Sequence, residues 1–566
     1  MVRRPFPAVA LAVLMLGGLA EPAWCQATKA AAASRDLDPG RSTAPDPLTP
    51  PEVDKPPPAA PGVPITPTET AKPTSEIDPI IAMVRQRLAA MPPGGNAGDR
   101  DDRAGLAAFY AQHNGEPVWT GKDGFTARAT QAMGEIRKAD DWGLKASAFD
   151  LPALSQGPAT AEALAEAEIK LGLAVLKYGR HARGGRVEPL SVHRIFDQKP
   201  TIYDPKTLML AVAASNAVDA YLRDLHPRHP QFERLRQALL AARAAKPEDA
   251  VPATAKPGEN IQRLIVNLER WRWMPPNLGP FYVWDSVPEQ MTIVFKDGKP
   301  ILSEKIVVGK PSSPTPVFSA DMLLVIFHPS WGVPPGMKVY ELGPQLKAAG
   351  GGGWFFSSSG ASAVLRGHGL LLSRGGQPVD PDSVNWATAD IRSYDFTQPP
   401  GPKNLLGIVK FRFPNRHDVY MHDTPERHLF GGATRVFSHG CMRVQNPVRL
   451  AEVLLAHDKG WGTDKVQEYV RRGGEIKLTT PIPVHITYFT AVVDEDGKLH
   501  YRPDVYGMDG RTATALEGRA VHLAAAPTDT REPTAKAERP ASKKAPVAKK
   551  TAAPGAFNPF AIFSGN

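Results

Sequence analysis

The chain has 566 residues, 42% of them hydrophobic and 22% charged, with 67 Lys and Arg against 58 Asp and Glu for a formal charge of +9. That length can bury one large core and a second beside it, but 58 prolines gathered towards the two ends exclude a uniformly folded globule. The basic balance favours an anionic partner (nucleic acid, anionic lipid or an acidic polymer) without choosing among them.

Arg3 and Arg4 open the chain, Ala8 to Ala20 is an apolar run, and the small-residue stretch EPAWCQA comes next. This layout predicts a secretory signal peptide over residues 1–25, cut after Cys25 or Ala27, and therefore an exported protein. The run falls short of the roughly 20 apolar residues of a membrane span. An uncleaved anchor is the alternative reading, and no other stretch is long and apolar enough to span. Pro-Ala-Trp before Cys25 lacks the pattern of a lipoprotein site. Residues 26–76, rich in Pro, Ala, Thr and Asp, predict a disordered tether.

Residues 77–245 carry helical spacing: Ile81, Val84 and Leu88, then Leu164, Ile169, Leu171, Val175 and Leu176, then Phe232, Leu235, Leu239 and Leu240. An Ala/Pro/Lys-rich break at 246–260 separates this helical domain from the C-terminal half. Ile261, Leu264, Ile265 and Leu268 mark one more amphipathic helix, ending in Trp271 and Trp273, whose placement favours packing between domains over stacking on sugars.

From about Pro280 the period becomes two. Met291 to Phe295 and Ile301 to Val308 flank an Asp297-Gly298 turn, Leu323 to Phe327 reads as a buried strand, and Val409, Phe411 and Phe413 alternate with Lys410 and Arg412. This β-rich domain spans 261–485. Residues 334–400, which include four glycines from Gly350 to Gly353, predict an insertion placed as a lid. A second hairpin, with Asp496-Gly497 at its tip, makes 486–518 a C-terminal extension, and 519–566 predict a disordered basic tail.

The cysteines are Cys25 and Cys441, so a processed chain keeps a single thiol, either inert or reactive. Its surroundings, DVYMHDTPERHLFGGATRVFSHGCMRV from Asp418 to Val444, favour reactivity. Asp418 to His422 alternate as a strand, putting Tyr420 and His422 on one face. Residues 434–438 read as another strand, broken by His439-Gly440 just before Cys441, and a helix capped by Asn446 with Pro447 first begins beyond. An imidazole beside a thiol raises its nucleophilicity and returns the proton to a leaving amine. His422 and His439 are the two candidate bases. His422, nineteen residues upstream on a strand able to pair beside the thiol, is preferred. A zinc set of Cys441, His422, His428 and His439 is the disfavoured alternative, having one thiolate and no CxxC pair.

VYMHDTP and then FSHGCMRV resemble the signature of L,D-transpeptidases with a YkuD-type catalytic domain. Asn267 to Trp273, Val308-Gly-Lys310, Thr315-Pro-Val-Phe318, Pro399 to Asn404, Leu406-Gly407 and Val505-Tyr-Gly507 extend the resemblance to the long, scaffold-bearing Gram-negative branch. Arg85 to Asp150 and Lys177 to Pro189 resemble its helical scaffold more loosely. The peptidoglycan-binding repeat common in that branch has no counterpart over 226–260.

The resemblance implies an α+β multidomain protein, a helical scaffold before a β-rich YkuD-type domain with an inserted lid, acting in the periplasm on peptidoglycan tetrapeptide stems as donor and acceptor. It implies Cys441 as nucleophile and His422 as base. Backbone N–H groups around Gly440 and Cys441 would hold the oxyanion, with Ser438 and His439 shaping the turn. Tyr420 would contact donor or oxyanion, and Arg443 would either bind a stem carboxylate or brace the loop. Asp423 or a backbone carbonyl would orient His422. No metal, nucleotide or other cofactor is implied, nor a nucleic-acid partner. Rival readings are an L,D-carboxypeptidase or cross-link hydrolase using the same dyad and a non-catalytic envelope scaffold. A papain-like protease is disfavoured by the order of its residues.

Overall fold

The computed structural model describes residues 78–92, 94–154, 159–245, 257–350 and 360–521. The expected signal peptide and tether, nearly all of the 246–260 break, the glycines at 351–353 and all but the first three residues of the basic tail lie outside the described residues. No helix among the described residues is long and apolar enough to cross a membrane.

The first half is helical where the spacing predicts it. The helix Pro79–Ala90 starts with Asp78 accepting the Ile80 N–H at 2.8 Å, carries proline at its first position and buries Ile81, Val84 and Leu88. The 24-residue helix Ala161–Gly184, capped by Thr160, buries Leu164, Ile169, Leu171, Val175 and Leu176. Its buried Glu168 collects the Tyr110 hydroxyl (2.6 Å), the Thr120 hydroxyl (3.0 Å) and the Val118 and Trp119 N–H groups, satisfying a carboxylate that burial would otherwise make costly.

The expected break before the β-rich domain is bridged by packing. Phe232, Leu235 and Leu239 of the helix Pro230–Ala244 meet Leu264, Leu268 and Trp271 of the helix Pro257–Arg272, and the same cluster takes in Tyr282 and Phe489. Trp271 stacks on Trp284 and Phe489, while Trp273 packs edge-on to Phe196. Both tryptophans are buried and join domains.

Nine strands form the main sheet: β1 (Phe281–Ser286), β2 (Met291–Lys296), β3 (Lys299–Gly309), β4 (Ser319–Phe327), β5 (Val409–Arg412), β6 (Met421–His422), β7 (Val436–Ser438), β8 (Met442–Val444) and β9 (Gly474–Thr487). They run in the order β7-β3-β8-β6-β5-β4-β9-β1-β2, and a further β2–β3 pairing closes the sheet into a barrel. The β2–β3 turn holds Asp297 (φ 49°) and Gly298 (φ 76°) in the left-handed region that a two-residue hairpin demands. Val283, Val294, Ile306, Val325, Val409, Phe411, Met421, Met442 and Val484 meet in one apolar core.

Residues 331–350 and 360–398 hold a second, smaller core. Strands Trp331–Gly332, Asp395–Gln398, Leu371–Arg374 and Gln377–Pro378 make a four-stranded sheet, and Leu342, Leu346, Leu365 and Phe396 pack with Tyr420 of the barrel. The C-terminal extension contains the expected hairpin, Ala491–Val493 with Leu499–Tyr501, but continues into a helix, Met508–Leu516, that the turn pattern did not reveal. Ala513 and Leu516 pack on Val266, and Asp509 receives Arg263 at 3.0 Å and Arg270 at 2.7 Å.

Candidate active site

Three adjacent strands build the site. β5 and β6 are antiparallel, with Lys410 opposite His422 and Phe411 opposite Met421. β6 and β8 are parallel, with Met421 beside Met442 and His422 beside Arg443. Side chains alternate across a sheet, so Phe411, Met421 and Met442 enter the barrel core while Lys410, Tyr420, His422 and Arg443 emerge on the other face, and Cys441, just ahead of β8, packs against both the barrel and the insertion core. The strand expected over 418–422 is shorter than its pattern. Asp418 takes a positive φ of 50°, and Asn415 Nδ2 holds the approach through the Phe413 and Val419 carbonyls at 2.8 Å. The alternation survives: Val419 joins the barrel core and Tyr420 the insertion core.

The turn bearing the thiol is pinned from several sides. Gly440 sits at φ +119°, a conformation open to glycine. Ser438 Oγ donates to the Cys441 carbonyl at 2.6 Å and accepts the Gly440 N–H at 3.1 Å. Thr315 Oγ1 donates to the Gly440 carbonyl and accepts the Gly309 N–H, both at 2.8 Å. Tyr506 O–H donates to Gly309 at 2.6 Å and accepts the Thr315 N–H at 3.1 Å. Val308-Gly-Lys310, Thr315 and Val505-Tyr-Gly507, distant in sequence, are thus one clamp on the turn.

The Gly440 N–H, one of the expected oxyanion donors, is bonded to Ser438 Oγ in this structure. Asn446 stands at the cap of the helix Pro447–Lys459 with Pro447 first, as expected, while its side chain donates to Glu304 at 2.8 Å and not to the helix.

The two candidate bases differ in their engagements. His439 Nε2 lies 3.0 Å from Glu341 of the insertion and 3.1 Å from Lys310 Nζ. His422 is buried, with Nδ1 at 2.5 Å from the Asp423 carbonyl. A carbonyl only accepts, so Nδ1 carries the proton and Nε2 keeps a lone pair. The Asp423 carboxylate serves elsewhere, accepting the Ile408 N–H at 2.9 Å and the Thr424 N–H at 2.7 Å and pairing with Arg427. The backbone, rather than that carboxylate, orients the imidazole. Burial, then the charge of Arg443, pushes the His422 imidazole down to about 3.

Cys441 is half-buried at the seam where the barrel and insertion cores meet. Burial pushes its thiol up to about 11, while the Tyr420 backbone, Lys410 and the Tyr420 hydroxyl pull it back. Burial thus favours a protonated thiol and a neutral imidazole at neutral pH, and no hydrogen bond joins them.

Arg443 is ion-paired with Glu426 through one nitrogen of its guanidinium. Tyr420 is buried against the thiol and the insertion, its hydroxyl held above the ordinary phenol range by burial. Among the described residues no three metal-ligating side chains gather, so His422, His428, His439 and Cys441 form no zinc set. Sequence reasoning missed Glu341, Glu426 and Lys410. The alternation of Val409 to Phe413 already put Lys410 on the face away from the core, and pairing with β6 was needed to show what else that face holds.

Fold and site define a closed β-barrel with a cysteine at the seam between the barrel and an inserted subdomain and a buried histidine on the neighbouring strand. Residues 280–484 match the family described as the L,D-transpeptidase catalytic domain, YkuD, and residues 104–239 match the Scaffold domain. The chain carries a YkuD-type L,D-transpeptidase catalytic domain behind a scaffold domain. A Haemophilus influenzae protein provisionally named an L,D-transpeptidase is 29% identical over 259 residues, 45% of this chain and 50% of that protein. The chain thus spans about half the length of that curated relative. Among solved structures, an L,D-transpeptidase from Mycobacterium smegmatis is 14% identical over 37% of this chain and 58% of its own, with a TM-score of 0.18. Mycobacterium tuberculosis L,D-transpeptidase 1 is 13% identical over 37% and 61%, with a TM-score of 0.14.

Proposed function

We propose that this protein is an exported murein L,D-transpeptidase that forms 3→3 cross-links between peptidoglycan stems in the periplasm. Cys441 attacks the carbonyl joining the third residue of a tetrapeptide stem to its terminal D-alanine. The thiol proton passes to His422 Nε2 and then to the departing amine of D-alanine, leaving a thioester on Sγ. The side-chain amine of a neighbouring stem attacks the thioester, forming the new amide and restoring the thiol. The Cys441 N–H supports the oxyanion. Carbapenems, which present a strained acyl group, acylate the same sulfur.

The observation that carries this reading is the pairing of β6 with β8, which sets a thiol and an Nδ1-protonated imidazole on one face at the seam between barrel and insertion. The barrel fold and the match over 280–484 support it. Export rests on the N-terminal pattern of Arg3, Arg4 and Ala8 to Ala20.

Incubating the purified protein with tetrapeptide muropeptides and weighing the products tests it. A cross-linked dimer with free D-alanine is expected. Tripeptide monomer alone would assign water as acceptor and make the protein an L,D-carboxypeptidase. No turnover, with a thiol inert to carbapenem, would leave a non-catalytic scaffold.

A further inference from the structure

Lys410 sits directly across the β5–β6 pair from His422, on the face that carries Tyr420 and Cys441. Its Nζ lies 3.7 Å from the centre of the Tyr420 ring. A half-buried ammonium normally finds a carboxylate, yet no carboxylate among the described residues lies within ion-pair distance of this one.

The other charges around the thiol are committed or oppose its ionisation. Arg443 on β8 is paired with Glu426, and Lys310 just past the end of β3 shares His439 with Glu341 of the insertion. Asp418, leading into β6, disfavours the thiolate, and His422 is neutral. Arg412, two residues along β5 from Lys410, acts on the lysine and is exposed. Lys410 and Cys441 each favour the charged form of the other.

We propose that Lys410 is a positioning residue for the nucleophile: its ammonium, seated on the Tyr420 ring, stabilises the thiolate of Cys441. This rests on the reading of Cys441 as the nucleophile. When the S–H bond breaks, its electron pair stays on Sγ and the proton moves to Nε2 of His422. Lys410 lowers the cost of the negative sulfur without taking part in the transfer. The same cation polarises the Tyr420 hydroxyl, making it a better donor to the sulfur.

Alkylation of the full chain by iodoacetamide across a pH series, read by mass on the peptide containing Cys441, reports the thiol midpoint without any substrate. Lys410→Met should raise that midpoint by about one pH unit and slow alkylation at neutral pH about tenfold. Lys410→Arg should restore most of the difference, and thermal melting should show both variants folded, with Lys410→Gln replacing Met if that variant does not fold. An unmoved midpoint in a folded neutral variant, or an Arg variant no better than Met, overturns the proposal. Muropeptide turnover measured alongside separates the two readings. A displaced midpoint without turnover keeps Lys410 in this role and removes the transpeptidase assignment, whereas turnover with an unmoved midpoint does the reverse.

Discussion

His422 donates its Nδ1 proton to the carbonyl of the very next residue, Asp423, at 2.5 Å, and so keeps Nε2 unprotonated. Burial pushes this imidazole down to about 3, below its ordinary value of about 6.5. Protonation would remove the base, so the acid limb of kcat/KM should fall below about pH 5, with no inflection near 6.5. A pH–rate profile checks this, and His422→Gln should lower kcat by roughly 10²–10⁴.

Cys441→Ser and Cys441→Ala should each abolish muropeptide turnover and the mass gain on carbapenem treatment, while leaving the melting temperature near that of the parent chain. The hydroxyl of serine is a far weaker nucleophile at neutral pH, so a loss of roughly 10³-fold or more is expected. Turnover undiminished in either variant would remove the thioester from the scheme.

Gly407 stands at φ +58°, and a Cβ there would run into the Asp423 carboxylate. That carboxylate anchors the segment holding His422 through Ile408, Thr424 and Arg427. Gly407→Ala should therefore cost roughly 2–3 kcal/mol in stability and also lower kcat, because the displaced Asp423 carries the carbonyl that orients the base. Urea unfolding and turnover, measured on one preparation, check the pairing of the two losses.

Glu341 lies on a single π-helical turn, Lys338–Leu342, and ties the insertion to the nucleophile turn through His439 at 3.0 Å. Because the pair is partly exposed, Glu341→Ala should change global stability by under about 1 kcal/mol. Its effect should be local: faster amide exchange over residues 338–349 with the barrel strands unchanged. Uniform exchange across the chain would count against this latch.

Asp285 is buried opposite Thr292 with neither carboxyl oxygen hydrogen-bonded, and burial pushes it up to about 7. Its folded pKa exceeds the unfolded value of about 3.9, so the native state holds a proton that the unfolded chain releases. Stability should fall as pH rises from about 4 to 7 and level off above. Asp285→Asn should flatten that slope and exceed the parent by on the order of 3 kcal/mol at pH 8, while matching it near pH 4. Denaturant midpoints at these pH values decide it.

Much of the helical half was legible because Ile81, Val84 and Leu88, or Leu164 through Leu176, bury in the rhythm of a helix that needs no distant partner to be recognised. The β2–β3 hairpin was legible for a similar reason: Asp297-Gly298 supplies the positive φ angles that its turn requires. The helix Met508–Leu516 was not, because its stability comes from Arg263 and Arg270 meeting Asp509 across more than two hundred residues. At the site, the candidates Cys441 and His422 stand in one stretch of sequence, whereas the ion pair of Arg443 with Glu426 shows only in the folded chain.

The sequence by itself determined which groups lie close along the chain: one thiol beyond the N-terminal segment, three histidines (His422, His428 and His439) within nineteen residues before it, and a glycine that lets the chain bend ahead of it. Tertiary structure decided which of them work together. Strand pairing is a long-range choice, and it turned an alternating Lys410 into the neighbour of His422 and Tyr420. Hydrogen bonds saturate, and in the folded chain Ser438 takes the Gly440 N–H and the Asp423 carbonyl the imidazole proton, which leaves the His422 lone pair on Nε2.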